Sequence, residues 1–278
     1  KLGPDAGEPD LSSYRWATSA ARFETSARME LTAQSHVSSV LIVKADRLYA
    51  EALRQLARQI FPRARIKLAA SLDSAGTALA TENVDVLVTG VGTSLGGDAL
   101  EFISTCTCRN SRARHVLVVT THHDLRLLGA LRALSVRGVF DSTTEPPEQF
   151  LTALRAVANG DYYWSHSLLD LIHTSAARGN SLSRLLTACE QLVFSIIGGG
   201  SDDVAAGREL GLSPATVSSV RRELHRKLGV QHRGELMRVA AQSGFVQFAP
   251  FGVVRPGYAM LAAAYQARKL KRPHLSAA

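Results

Sequence analysis

The chain contains no apolar run of about 18 residues, so nothing in it reads as a membrane span. Cysteine is scarce, with three in 278 residues: Cys106, Cys108 and Cys189. Cys106 and Cys108 are too close for an ordinary structural bridge, and no second ligand pair stands at zinc-site spacing. A disulfide framework and a zinc finger are therefore excluded, and a reduced, cytoplasmic protein is expected. The start lacks the charged-then-apolar pattern of a signal peptide. Ser, His and Asp are all present but no nucleophile-elbow motif is, so no enzyme is expected. Acid is missing from one whole stretch. Residues 247–278 carry Arg255, Arg268, Lys269, Lys271 and Arg272 and no Asp or Glu.

What is present is enough apolar material for a real core, 46% of residues, and a formal charge of +8. The basic balance, with a pI near 9.7, favours an anionic partner such as nucleic acid. Residues 1–35, rich in Ser, Ala, Gly and Pro, read as a flexible N-terminal extension, helical near Trp16 to Phe23. Met29 is a candidate natural start.

From Val37 the texture changes. Val40-Leu-Ile-Val43 is the run of a strand buried on both faces. Arg47 to Ile60 follows with Leu48, Ala52, Leu56 and Ile60 on one helical side. Further strands are expected at 65–69, 85–89, 115–120 and 138–140, and further helices near 74–81, 98–104, 124–134 and 145–158. Strand and helix alternate five times across residues 36–160, which predicts a parallel sheet covered on both faces. The expected strand order is 2-1-3-4-5, with a functional crevice at the carboxyl ends of strands one, three and four. Residues 161–182 read as a linker with a short helix at 168–176, and 247–278 as a basic, partly helical tail.

Between these lies the most informative stretch, Leu212 to Leu228. Ser213 offers an N-cap hydroxyl and Pro214 sits where a missing N–H costs nothing. Val217, Val220, Leu224 and Leu228 recur at three- and four-residue spacing on one face, and Ser218, Ser219, Arg221, Arg222, His225 and Arg226 fall on the others. Such a helix suits the major groove of DNA, although an ordinary surface helix would show the same faces. The preceding turn, Leu210-Gly-Leu-Ser213, decides between them. Helices at about 187–197, 202–210, 214–227 and 233–243, with a short glycine-bearing turn before the third, make a helix-turn-helix.

Leu186-Thr-x-x-Glu190, Glu209-Leu-Gly-Leu-Ser213, Thr216-Val217, Arg226-Lys-Leu-Gly-Val230 and Arg233-x-Glu-Leu236 resemble the LuxR-type DNA-binding domain. With the five-fold β-α unit in front, and Ala153-Leu-Arg-Ala-Val-Ala-Asn-Gly160 similar to the end of a receiver domain, residues 37–246 resemble a response regulator of the NarL/FixJ class. The resemblance implies a flavodoxin-like (βα)5 receiver at 36–160 and a four-helix LuxR-type domain at 183–246. It also implies a homodimer on double-stranded DNA, with residues 233–246 as the dimer helix. The DNA-binding set on that mapping is Ser213, Thr216, Val217, Ser218, Ser219, Arg221, Arg222, Arg226 and Lys227. Arg222 is expected to read guanine, and Thr216, Arg226 and Lys227 to set register on phosphates. Of the adjacent pair Arg221 and Arg222, only one need face DNA, because neighbouring helix positions point about 100° apart. Position 218, often lysine in the family, is serine here.

The receiver half departs from its family where chemistry matters. A working receiver needs an acidic pair after the first strand, an aspartate after the third, Thr or Ser after the fourth and lysine after the fifth. Here Lys44-Ala45 precede Asp46, Gly90 stands at the acceptor position, Thr120 is in place, and Asp141-Ser142 replace the lysine. Glycine cannot form an acyl phosphate, and little is left to hold a hard divalent cation. A pseudo-receiver without metal or cofactor is expected, in which Lys44 takes over the structural role of the metal. Asp46 or Asp98 would be the acceptor only if the alignment slipped. Gly90-x-Gly92-x-x-x-Gly96 has the look of a phosphate cradle, but it follows the third strand rather than the first and reads as a loop. His122-His123 at the same crevice lack a third metal ligand. Two alternatives remain: a sensor of a small molecule or nucleotide bound at Lys44, Gly90–Gly97 and Thr120, and an interaction module that sequesters another regulator.

Overall fold

The computed structural model describes residues 37–108, 110–178 and 182–270. The expected N-terminal extension, with its helix near Trp16, and the last basic residues, Lys271 and Arg272, lie outside these. The first body is a parallel sheet of β1 (Ser39–Val43), β2 (Arg65–Ala69), β3 (Val84–Thr89), β4 (Ala113–Thr120), β5 (Gly138–Asp141) and β6 (Tyr163–Trp164). The order is β2-β1-β3-β4-β5-β6, every pair parallel. The expected 2-1-3-4-5 order is present, with one strand more at the β5 edge.

Helices α1 (Arg47–Ile60), α2 (Leu72–Thr81), α3 (Ala99–Thr107), α4 (Leu125–Ala133) and α5 (Pro147–Ala158) cover both faces. Alternation inside the apolar strands builds two cores from one run. Val40 and Ile42 face Leu53, Phe150 and Leu154 of α1 and α5. Leu41 and Val43 face Leu72, Leu100, Ile103 and Leu128 of α2, α3 and α4. All five residues of β1 are buried.

Residues 161–182, expected as a linker, are in part structural. Tyr163 and Trp164 extend the sheet, and α6 (His166–Arg178) follows directly. Leu168 is fully buried in the α2–α4 core, with Trp164, Leu171 and Ile172 packed against it. Glu145 fastens the added strand, accepting from Tyr163 Oη at 2.8 Å and Ser165 Oγ at 2.6 Å. A two-residue strand carries no periodicity, which is why the sequence pattern missed it.

The second body contains a short helix, α7 (Leu182–Leu185), then α8 (Ala188–Gly198), α9 (Asp203–Leu210), α10 (Pro214–Leu228) and α11 (Arg233–Gln242). Its core gathers Leu192, Phe194, Ile197, Leu210, Val217, Leu224 and Leu236. Beyond α11, the expected basic tail is a hairpin of β7 (Gln247–Ala249) and β8 (Gly252–Val254), then α12 (Tyr258–Leu270). Tyr258, Leu261, Ala262 and Tyr265 of α12 pack on the α8–α11 core.

The two bodies meet through α4 and the chain after α11. Arg126 Nη1 donates to Gly244 O at 2.9 Å and to Pro256 O at 2.6 Å, and its guanidinium lies 4.5 Å from the centre of the Phe245 ring. Asp98 Oδ2 accepts from Gly257 N at 2.6 Å. Gly244 has φ +72°, and a Cβ there would collide with the Asp124 carboxylate. Met260 of α12 packs against the core of the first body.

Leu168→Ala should cost about 2–5 kcal/mol of stability in chemical denaturation, the range for truncating a fully buried leucine. A cost within about 0.5 kcal/mol, typical of surface changes, would make residues 161–178 a loose connector after all.

Candidate nucleic-acid interface

The third helix of the second body is set by its ends. Ser213 Oγ accepts from Thr216 N at 3.0 Å, Pro214 fills the first turn, and Gly229 closes the helix with φ +64°. Gly211, at φ +64°, makes the sharp turn out of α9 that only glycine adopts cheaply. Asp202 caps α9 through Ala205 N at 2.7 Å, and a capping box of Thr187 and Glu190 starts α8. Val217 and Leu224 are fully buried, and Val220 and Leu228 pack against the same core. The opposite face presents Thr216, Ser219, Arg222 and Arg226 to solvent, with Ser213 exposed at the helix start.

The residues expected at DNA thus divide. Val217 is a core residue and cannot reach a base edge. Arg221 is spent within the fold: Nε donates to Asp203 Oδ1 and Nη2 to Asp203 Oδ2, both at 2.9 Å. This fork ties α10 to α9, raises the guanidinium's pKa and lowers that of the carboxylate. Its Nη2 also reaches the half-buried Ser218 Oγ at 3.4 Å. Lys227 donates to Glu190 Oε2 at 2.9 Å and to Leu185 O at 3.3 Å, pinning α10 to the start of α8. Burial would push Glu190 upward, but the bonds from Lys227 and Thr187 bring it below the usual carboxylate range. Arg226 pairs with Glu223 on its own helix, in the open. Among the described residues the one hydrogen bond of Arg222 goes to Ser219 Oγ, at 3.2 Å, and the rest of its fork is available. Asp203 and Glu190, the partners that decide these roles, lie 18 and 37 residues from their cations. Sequence periodicity does not reach that far.

The crevice of the first body is equally specific. Lys44 leaves β1 half-buried, its ammonium 4.6 Å from the centre of the Tyr49 ring and 3.4 Å from Val119 O. Burial lowers its pKa to about 8, partly countered by Asp46. A Cβ at Gly90 would lie 3.3 Å from the ammonium, so Lys44 fills the space beside Gly90, the position expected of a receiver's acceptor. Ala45 packs against the core. Asp46 caps α1, accepting from Tyr49 N at 2.8 Å. Asp98 caps α3 through Leu100 N and Glu101 N and receives Gly257 N as well; burial raises its pKa. Thr120 Oγ1 accepts from His122 N at 2.8 Å, and Ser142 donates to Thr120 O. Among the described residues no group of three or more His, Cys, Asp and Glu is placed to hold a metal ion.

Asp141, at the end of β5, is fully buried. It accepts from Thr143 N and Oγ1, Thr144 Oγ1 and Ser167 Oγ, and meets His123 Nε2 at 2.8 Å. Burial alone would raise its pKa; the hydrogen bonds from Thr143, Ser167 and Thr144 outweigh it and hold the carboxyl well below the usual range. The sequence offered no sign of this network, because Thr143 and Thr144 follow in a loop while His123 and Ser167 come from other segments, 18 and 26 residues away.

Residues 184–240 match the family described as bacterial regulatory proteins, luxR family. The transcriptional regulatory protein MctR of Rhizobium johnstonii is 25% identical over 151 residues, covering 54% of this chain and 67% of that protein. RcsB from Salmonella enterica serovar Typhimurium, bound to promoter P1flhDC with the phosphomimetic BeF3-, superposes with a TM-score of 0.51 at 19% identity, over 74% of this chain and 98% of that one. A structure of two RcsB dimers on two parallel DNAs gives 0.50 at 19%, over the same shares. At such identities the structural likeness speaks for the fold. Residues 184–240 of the second body are thus similar to the luxR-family regulators, and the α/β fold before them is like the corresponding part of RcsB.

Asp141 gives a pH test. Its folded pKa lies below the unfolded value of 3.8, so its stabilisation is fully present above that value and drains away as pH falls toward the folded pKa. Asp141→Asn should destabilise the protein at neutral pH and flatten the loss of stability below about pH 4. An unchanged acid slope in urea titrations would contradict the hydrogen-bonded carboxylate.

Proposed function

We propose that this chain is a DNA-binding transcription regulator that works as a dimer and is not switched by aspartyl phosphorylation. The observation that carries this reading is the solvent-facing side of α10, where Arg222 stands between exposed Ser219 and Arg226 while its neighbour Arg221 is tied to Asp203. An unencumbered guanidinium fork on a helix-turn-helix reading helix suits guanine O6 and N7. Ser213, Thr216 and Arg226 then meet phosphates and fix the register. Ser218 and Ser219 offer adaptable hydroxyls on either side. One such module spans few base pairs, so useful specificity requires two. Arg233, Gly234 and Arg238 are the exposed side of α11 left for a partner copy. Ala241 and Gln242 at its far end line the cavity facing the first domain, and Phe245 and Val246 belong to the core.

Independence from phosphorylation rests on the occupied carboxylates. Gly90 has none, Asp46 and Asp98 serve as helix caps, and Asp141 is enclosed by hydroxyls. The exposed reading face argues against a regulator whose DNA-binding domain is held occluded to sequester another protein. A cytoplasmic location follows from the DNA-binding role, and no described helix is long and apolar enough to cross a membrane.

Two neighbouring arginines provide the test. In gel shifts on DNA selected from a random-sequence pool, Arg222→Ala should weaken specific binding by about 1–3 kcal/mol and leave the thermal midpoint unchanged. Arg221→Ala should instead lower domain stability, by about 1 kcal/mol for a half-exposed pair. Equal effects of the two on both readouts would overturn the assignment of Arg222 as the base reader.

A further inference from the structure

The crevice at the ends of β1, β3 and β4 opens into a cavity of about 930 Å³. Lys44, Thr93, Ser94 and Thr120 line it from the receiver-like side, and Gln242, Gln247 and Phe248 from the DNA-binding side. Lys44 is the one lysine or arginine in the lining. Lys44 is half-buried, and its ammonium has one long bond to a carbonyl and a tyrosine ring beside it, with Asp46 near enough to act on it but no ion pair to a described carboxylate. A desolvated charge is costly unless it is paired. The hydroxyls of Thr93 and Ser94, in the same lining, make no hydrogen bond among the described residues. The carboxylates of the lining, Asp46 and Asp124, each already accept a helix-capping N–H, from Tyr49 and Leu127. His123 is turned to Asp141, and His122 lies at the rim.

An ammonium with no ion pair, 3.3 Å from where a Cβ at Gly90 would stand and sharing its cavity with free hydroxyl donors, complements an oxyanion. We propose that this cavity binds a small phosphate- or carboxylate-bearing molecule, with its anionic group on Lys44, Thr93 and Ser94 and its body against Gln242, Gln247 and Phe248. The proposal gives a ligand class and a site to the regulatory reading above, on which its meaning for transcription rests. A ligand touching both walls favours the arrangement in which Arg126 holds Gly244 and Pro256, by the difference between its affinities for the joined and separated domains. Signal and DNA reader are then coupled without covalent chemistry.

The full chain is titrated with inorganic phosphate and, separately, with succinate, each against sodium chloride at matched ionic strength. Thermal midpoint and calorimetry are the readouts, and hydrogen exchange of residues 91–95 and 241–248 is followed in parallel. One or both anions should raise the midpoint saturably, and which of them does so identifies the anionic group. Exchange should slow on both walls. Lys44→Met keeps the aliphatic stem and removes the charge. Its midpoint without anion should equal or exceed that of the original chain, while its apparent affinity falls at least about tenfold, ~1.4 kcal/mol. A response no larger than the chloride control, an Lys44→Met variant that responds like the original, or unchanged exchange on both walls would each overturn the proposal. Gel shifts without anion on the same preparations judge the DNA-binding reading separately, since DNA binding without any anion response removes only the ligand site.

Discussion

One half-buried guanidinium joins the two bodies of this molecule. Arg126 leaves the first turn of α4 and reaches two carbonyls, Gly244 and Pro256, and the face of Phe245. None of these partners is a carboxylate. Burial lowers the pKa of Arg126, with Asp124 and Asp98 opposing the shift; arginine tolerates such a site because its charge is delocalised and its donors are many. The ring of Phe245 at the same time packs tilted against Phe194, with ring centres 4.9 Å apart, in the core of the second body. The contact therefore runs from the receiver-like domain into the interior of its neighbour. Gly244, pressed against Asp124, and Gly257, bound to Asp98, complete it. The face of α10 carrying Arg222 stays in solvent, and the cavity above Lys44 acquires its second wall.

The same economy of charge shapes the crevice. A receiver with an acceptor aspartate uses carboxylates to gather a metal and a phosphoryl group. Here the acceptor position is glycine and a lysine stands beside it. The acidic groups nearby are turned to structural work, Asp46 and Asp98 at helix starts and Asp141 within a ring of hydroxyls. A lysine stands where a transient negative charge would form, and on the proposed reading the crevice serves binding rather than bond-making.

Much of the architecture is legible in the chain itself. β1, β3 and β4 are apolar runs of a length that suits a doubly covered sheet, and the alternation with amphipathic helices dictates parallel pairing. Ser213-Pro214, Gly211 and Gly229 announce the bounds of α10 through elementary capping chemistry. What stays hidden depends on distance along the chain. Arg221 and Arg222 look alike until Asp203 is folded against one of them. Lys227 resembles a phosphate anchor until Glu190 is brought beside it. The tail beyond residue 246 reads as basic and helical, but its docking rests on Arg126 and Asp98, which lie 130 and 159 residues from Pro256 and Gly257. No local pattern carries that information. β6 escapes for the opposite reason, being too short to show a period.

The central claim is that this receiver fold keeps its shape while its phosphorylation chemistry is gone. The most direct measurement is the intact mass of the full chain after incubation with a small-molecule phosphodonor and Mg²⁺. The mass should be unchanged; a covalent phosphoryl adduct mapping to any aspartate would contradict the account.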